Sequence, residues 1–382
     1  MRLILIGNYK PDGQESMQRF TNMLFEGLKE AGLSVECWVP PAILGYVFSS
    51  TSHGIGKWMG YIDKWIFFPV LLLVRRFTLK RNAVHFHICD HSNAPYIQFL
   101  PREKTVITCH DVIAIRAGLG YEGTHVSPSK MGQLLQKKIL HSLVQSERIA
   151  AVSKLTLNQL RELTDKPIAG INWKVIYNSF NATFFPLEEN ASRKALGKIG
   201  IATESFILHV GHNHPRKNKK LLIEMTACLG SKWNGKICFA GKPLESNLWQ
   251  LAGRLGVQHR IVSVVNPDHF TLQALYSQCE AFIFPSFSEG FGWPIIEAQA
   301  CGAPVITSAI EPMPEVGGDG ALYADPYSPE SFAQAFLELQ DEAIRNDLVE
   351  KGLQNIRRFQ PQSMIDAYLS LHGLKSHVSQ TN

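Results

Sequence analysis

One stretch in the second half constrains the fold of this chain more than any other. The apolar run Ala281-Phe282-Ile283-Phe284-Pro285 gives way to Ser288-Glu289-Gly290-Phe291-Gly292-Trp293-Pro294-Ile295-Ile296-Glu297, and Ala300-Cys301-Gly302-Ala303-Pro304-Val305 opens a second apolar run. A short apolar run bounded by turn residues reads as a strand buried on both faces of a parallel sheet. The glycines let backbone N–H groups approach a ligand closely. Pro294 suits the start of a helix, which would put Glu297 in the first turn, beside the positive helix end. A carboxylate there can accept two hydrogen bonds from a vicinal diol such as a ribose. Strand, glycine turn and helix N-terminus together make a cradle for anions and hydroxyls.

The same alternation runs along the whole chain. In the first half Leu3–Ile6, Val35–Val39, Ala83–Cys89, Thr105–Cys109, Ile149–Val152 and Lys174–Tyr177 read as strands. In the second, Phe206–Val210, Lys236–Ala240, Arg260–Val265, Ala281–Pro285 and Pro304–Thr307 do. Helical patterns lie between them; Ser16 is expected to cap one, with Met17, Phe20, Leu24 and Leu28 on one face and Gly32 at its end. The fold class is α/β: two Rossmann-like domains whose parallel sheets face an interdomain cleft at their carboxyl ends. A length of 382 residues is comfortable for two cores. The polar stretch Asn181–Glu204 separates them, giving domains 1–182 and 183–358, and 359–382 reads as a closing helix.

A formal charge of +5, from 38 basic and 33 acidic residues, is too mild to point to nucleic acid. The seven cysteines are odd in number, scattered and free of any C-x-x-C pair, which suits buried thiols in a reducing compartment. Met1–Gly7 reads as a first strand rather than a signal peptide, so a cytoplasmic location is expected. Asn181-Ala182-Thr183 and Asn190-Ala191-Ser192 match the N-glycosylation pattern and are read as chance.

Lys57 to Arg81 departs from the alternation. Trp65 to Val74 is wholly apolar and is followed by Arg75, Arg76, Lys80 and Arg81. Ten apolar residues cannot span a hydrocarbon layer, which needs about twenty. Two readings stay open: a core helix with a basic end, and a helix lying on an anionic membrane surface, which would place the protein peripherally at the inner face.

Other residues could carry chemistry. Arg216-Lys217-Asn218 follows a strand and precedes a helix, so two cations and a helix N-terminus converge, which suits a diphosphate. His110-Asp111 ends the strand Thr105–Cys109. His85 and His87 alternate on a strand without a carboxylate or cysteine partner and read as structural. No G-x-G-x-x-G follows a strand, which argues against a dinucleotide dehydrogenase. Gly230 to Lys236 mimics a P-loop but leads into a strand. No D-x-D pair is present, so no metal site and no cofactor is expected.

Glu289 and Glu297, spaced E-x7-E around G-F-G and followed by A-C-G-x-P-V, resemble the donor-site signature of family 4 glycosyltransferases, retaining enzymes with the GT-B fold. The resemblance implies transfer of a sugar from a nucleotide diphosphate sugar to a hydroxyl of a glycan or lipid-linked acceptor. Arg216 and Lys217 are similar to the family's R-K-N element, which stabilises the departing diphosphate. His110-Asp111 is similar to its H-D pair, with the histidine near the transferred bond, and Asp90-His91-Ser92 to an acceptor-side element of some relatives. By the same resemblance Glu297 holds the ribose, while Glu289 and the N–H groups of Phe291 and Gly292 orient the sugar. The last helix, from about Pro361, crosses back onto the first domain. One departure stands out: many members carry Gly-Gly after the first strand, whereas here the loop Asn8 to Ser16 has only Gly13 to approach the phosphates. A GT-B-like sugar nucleotide epimerase and a non-catalytic sugar nucleotide sensor remain as alternatives.

Overall fold

The computed structural model describes residues 2–48, 51, 54–79, 84–125, 128–164, 171–201 and 204–374. Lys80, Arg81 and Ala83 lie outside them. The chain folds as two compact units: Met1–Asn181 with Pro361–Asn382, and Ala182–Gln360.

The first unit holds six parallel strands: β1 (Arg2–Ile6), β2 (Ser34–Trp38), β3 (Val84–Ile88), β4 (Thr105–Cys109), β5 (Arg148–Ala151) and β6 (Asn172–Val175). Their order is β2-β1-β3-β4-β5-β6. β1 and β4 are apolar runs buried almost throughout, as strands covered on both faces must be. The helix Glu15–Glu30 buries Phe20, Leu24 and Leu28. Ser16 does not cap it: the helix begins at Glu15 with Gln14 before it, and Ser16 is already helical.

The closing helix Pro361–His372 packs within this unit. Tyr368 lies 3.0 Å from the hydroxyl of Thr108, and the ring nitrogens His372 Nε2 and His87 Nδ1 are 3.1 Å apart. Ile365 sits close enough to Gly27 to leave no room for a side chain there. His85 and His87 are thus structural, part of the floor beneath this helix.

The second unit holds β7 (Phe206–Gly211), β8 (Lys236–Gly241), β9 (Ile261–Val265), β10 (Ala281–Phe284), β11 (Val305–Ser308) and β12 (Leu322–Ala324). All are parallel, in the order β12-β11-β10-β7-β8-β9. Read from β9, this is the 3-2-1-4-5-6 order of doubly wound dinucleotide-binding sheets. Sequence reading missed β12, a three-residue edge strand between Gly320 and Asp325 with little room for a periodic signal.

Residues 54–77 have one side in the core, as the core-helix reading expects, and the other side exposed. Helical turns run through Gly54–Ile62, a π-turn at Asp63–Phe67, and Phe68–Phe77. Phe68 and Leu72 are fully buried in the core, whereas Ile66, Val70 and Val74 are exposed.

Candidate functional site

In open parallel sheets, ligands bind where the strand order reverses, beyond the carboxyl ends of the strands. In the second unit that point lies between β7 and β10. Their backbones pair only at Ala281↔Ile207 and Phe282↔Leu208, then part. The fully buried His209 takes over where the ladder stops, its Nδ1–H donating to the Ile283 carbonyl at 3.0 Å. Burial, reinforced by Lys219 and Lys217, holds this imidazole at about 3, so it is neutral.

The parted strands make room for three charged side chains. Beyond β7 a short 3-10 turn, Pro215–Lys217, presents Arg216 and Lys217. Asn218 then adopts a left-handed conformation, φ 53°, which asparagine tolerates better than most residues. Its side chain donates to the carbonyls of Pro285 at 3.2 Å and Pro326 at 2.8 Å, tying this turn to the loop after β10. The Phe287 N–H reinforces that link by donating to Arg216 O at 2.8 Å.

Glu289 comes from the loop after β10. Its Oε1 accepts from Lys217 Nζ at 2.6 Å, and its Oε2 pairs with Arg216, whose guanidinium also donates to Ser288 O at 2.9 Å. Burial alone would raise the Glu289 pKa, but Arg216 and then Lys217 outweigh it and hold the carboxyl at about 2. Lys217 is lowered, because burial exceeds the support from Glu289. The trio carries a net positive charge. Lys219 adds another cation nearby, brought down to about 8 by burial despite Glu245. The helix Lys219–Leu229 starts here, so its N-terminal dipole has the same sign. A carboxylate oxygen has two lone pairs, so Glu289 can accept from a ligand hydroxyl while remaining ion-paired.

Gly292, with φ 112°, turns the chain into the helix Trp293–Ala300; a Cβ there would come within 3.2 Å of Ile295. Pro294 is its second residue, as its place in the sequence suggested. Glu297 is not in the first turn: it is the fifth helical residue. Tyr276 donates to its Oε2 at 3.0 Å from the neighbouring helix His269–Gln278. No spacing rule relates Tyr276 to this block, so sequence reading could not find it. Phe291 is buried against Phe359 and Trp293.

The first unit carries its own polar cluster where its strand order reverses, between β1 and β3. Here the ladder is complete, from Arg2↔Val84 to Ile6↔Ile88. Just beyond it, the Asn8 amide donates to the buried Asp90 carboxylate, which also accepts from Ser92 N at 2.9 Å and Ser92 Oγ at 2.8 Å. His91 Nδ1 lies 3.3 Å from Asp90. His110, following β4, is buried beside them; its Nε2–H donates to Cys89 O at 2.9 Å and Phe20 meets its ring edge-on at 4.6 Å. Burial lowers the pKa of His110, only partly opposed by Asp90. Asp90, His91 and His110 thus form one network, whereas Gly13 stands apart on the loop after β1, left-handed at φ 65° with open space around it. Among the described residues, no group of three or more His, Cys, Asp or Glu side chains is arranged to hold a metal ion.

Residues 192–355 match the family model for group 1 glycosyl transferases. The chain is 28% identical over 270 residues to O-antigen chain mannosyltransferase B of Escherichia coli, covering 68% of each chain. It spans about a third of the length of two further curated mannosyltransferases that it matches. Among solved structures it is similar to a sucrose-phosphate synthase of Thermosynechococcus elongatus, with a TM-score of 0.72 and 19% identity over 98% of each chain. It is similar also to HepE of Anabaena, solved with UDP and glucose, with a TM-score of 0.71 and 16% identity over 97% of this chain and 98% of that one.

Proposed function

We propose that the chain is a group 1 glycosyltransferase on the GT-B fold that transfers a hexose, with retention, from a nucleotide diphosphate sugar to a hydroxyl of a glycan or lipid-linked acceptor. The observation that carries this reading is the buried Arg216–Glu289–Lys217 trio at the reversal point of the second sheet. It offers two cations and a helix N-terminus to a diphosphate, and an ionised carboxylate to the sugar hydroxyls.

The leaving diphosphate gains negative charge as the glycosidic bond breaks. Arg216 and Lys217, fixed by Glu289, Ser288 and Asn218, oppose that charge without reorganising. Such a site does the work that a divalent ion does elsewhere, so turnover without added metal is expected. Glu297, oriented by Tyr276, accepts from the ribose hydroxyls. The Phe291 and Gly292 N–H groups face the sugar, and Gly13 approaches the phosphates. His110 supports the oxocarbenium-like state, and attack on the face vacated by the leaving group gives retention without a protein nucleophile. Mannose is the first sugar to test, because the matched E. coli relative is a mannosyltransferase.

A panel of nucleotide sugars, read by nucleotide release with and without glycan and lipid extracts in the presence of a chelator, tests this. Release that requires acceptor, with retained configuration in the product, is expected. Isomerised donor without acceptor would identify an epimerase, and donor binding without turnover a sensor.

A further inference from the structure

The first unit leaves much apolar surface uncovered between Ile43 and Phe77. Tyr46 and Val47, on one loop, are 83% and 79% exposed; Ile55, Ile66, Val70 and Phe77, along the helical run, are 68%, 56%, 58% and 79% exposed. Such side chains scattered singly need no explanation, but their concentration on two adjoining elements does.

The two elements are locked together from inside. Asp63, in the π-turn, is fully buried, and its carboxylate accepts from the N–H groups of Ile43 at 3.1 Å, Leu44 at 3.0 Å and Gly45 at 2.9 Å, and from the Tyr9 hydroxyl at 2.6 Å. Four donors satisfy the charge and hold the start of the loop against the helix. Phe68 and Leu72 fasten the other side of the helix to the core. The exposed residues are therefore the outer face of a fixed structure.

Charge selects the occupant. Among the described residues from Cys37 to Leu79 there are four lysines and arginines, Lys57, Lys64, Arg75 and Arg76, and one acid, Asp63. Asp63 is turned inward, and Lys64 pairs with Asp12 at 2.6 Å, so the uncompensated charge on this segment is that of Lys57, Arg75 and Arg76. Lys57 and Arg75 are exposed on the same helical run as the apolar face. At about 1.5 Å per residue the run from Gly54 to Phe77 is roughly 36 Å long, and no described helix is long and apolar enough to cross a membrane. Apolar side chains with flanking cations are what a helix lying in the headgroup boundary requires. A second copy of the chain fits poorly, since a two-fold contact would bring two such positive segments face to face.

We propose that the loop 43–48 and the helical run 54–77 form a docking surface for an anionic lipid bilayer. The apolar side chains enter the headgroup boundary, and Lys57 and Arg75 meet acidic headgroups beside it.

Sedimentation of the full chain with vesicles tests this, using phosphatidylcholine alone or mixed with phosphatidylglycerol at low and high salt. Partitioning at least tenfold stronger onto the anionic vesicles is expected at low salt, fading at high salt. Lys57→Ala and Arg75→Ala should each weaken it about fivefold, from ~1 kcal/mol per basic residue. Ile66→Ser with Val70→Ser, both at exposed positions, should weaken it further with the fold intact by circular dichroism. Equal sedimentation with both vesicle types at low salt, or substitutions without effect, would overturn the proposal. So would a stable dimer in solution that Val70→Ser dissociates, which would assign the face to a second copy. Nucleotide release with a soluble acceptor does not use this surface, so failure here leaves the transferase reading untouched.

Discussion

The two units use the same construction to opposite electrostatic ends. Each has six parallel strands and a polar cluster at the point where strand order reverses. In the first, β1 and β3 stay paired to their ends and Asn8 closes over Asp90, so the cluster is a network of neutral donors around one carboxylate. In the second, β7 and β10 part after two residue pairs, and His209 bridges the gap from the side. The opening admits two cations and a carboxylate, with net positive charge. The difference in strand pairing thus accompanies a difference in charge: one carboxylate with uncharged donors such as Asn8 and Ser92 in the first unit, two cations and a carboxylate in the second.

The largest effect expected from this contrast is at Arg216. Arg216→Ala should slow transfer by about two to three orders of magnitude, the loss of ~3–4 kcal/mol in the transition state. Glu289→Gln should likewise act mainly on kcat, because it removes the charge that anchors both cations and, in the proposed role, would alter the contact to the reacting sugar. Steady-state kinetics by nucleotide release checks both. Wild-type kinetics in either variant would mean that the open reversal point is not the donor site.

Acid should separate the units next. Burial, with a smaller push from His110, holds His87 at about 3, and burial with His87 and His85 behind it holds His372 well below its ordinary value. Both are neutral when folded and take up protons on unfolding. Their contribution is complete above about pH 6.5 and is lost as pH falls toward their folded values. At about 1.4 kcal/mol per proton and pH unit, with each unfolded histidine half protonated at pH 6.5 and about nine-tenths at 5.5, the first unit should lose about 2 kcal/mol over that range. The second, with His209 as its strongly depressed histidine, should lose about half as much. Calorimetry across that range should show the lower transition moving faster; equal movement would erase the distinction.

Smaller effects test the donor site in detail. Glu297→Gln should raise the donor KM about tenfold with kcat little changed, because the ribose does not react. Tyr276→Phe should move the same constant in the same direction by less, since it removes one hydrogen bond of ~1–2 kcal/mol. A kcat effect in Tyr276→Phe would place Glu297 nearer the chemistry. The smallest change is expected at Gly13, where an added Cβ meets nothing within 4 Å. Gly13→Ala should cost about 1 kcal/mol of stability for its left-handed backbone and raise the donor KM less than tenfold.

Much of this was legible in the sequence. All six strands of the first unit and five of the second stand out as apolar runs, because a strand covered on both faces leaves no polar alternation. Arg216, Lys217 and Glu289 were readable as chemistry, but not that they form one ion-paired unit, which depends on a sheet order no local pattern encodes. Glu297 was misplaced by one residue, just past the first turn, because Pro294 marks the start of a helix only to within a residue or two. The role of His209 within its apolar strand appears only once β10 is known to be its neighbour. Asp63 was the sharpest omission: an acid in an apolar helix signals either a flaw or a buried anchor, and only the loop that it holds decides which.

On the proposed docking surface, the exposed Lys57 and Arg75 beside the apolar face would also govern how the molecule arrives at a bilayer. Those two cations give the face a positive flank. Within a screening length of about 10 Å of a negative sheet, that flank feels a torque before anything touches. Collisions then begin already turned, and the search for a landing pose becomes a glide in two dimensions. Added salt shortens the distance over which the turning acts, so productive landings should fall faster than collisions do.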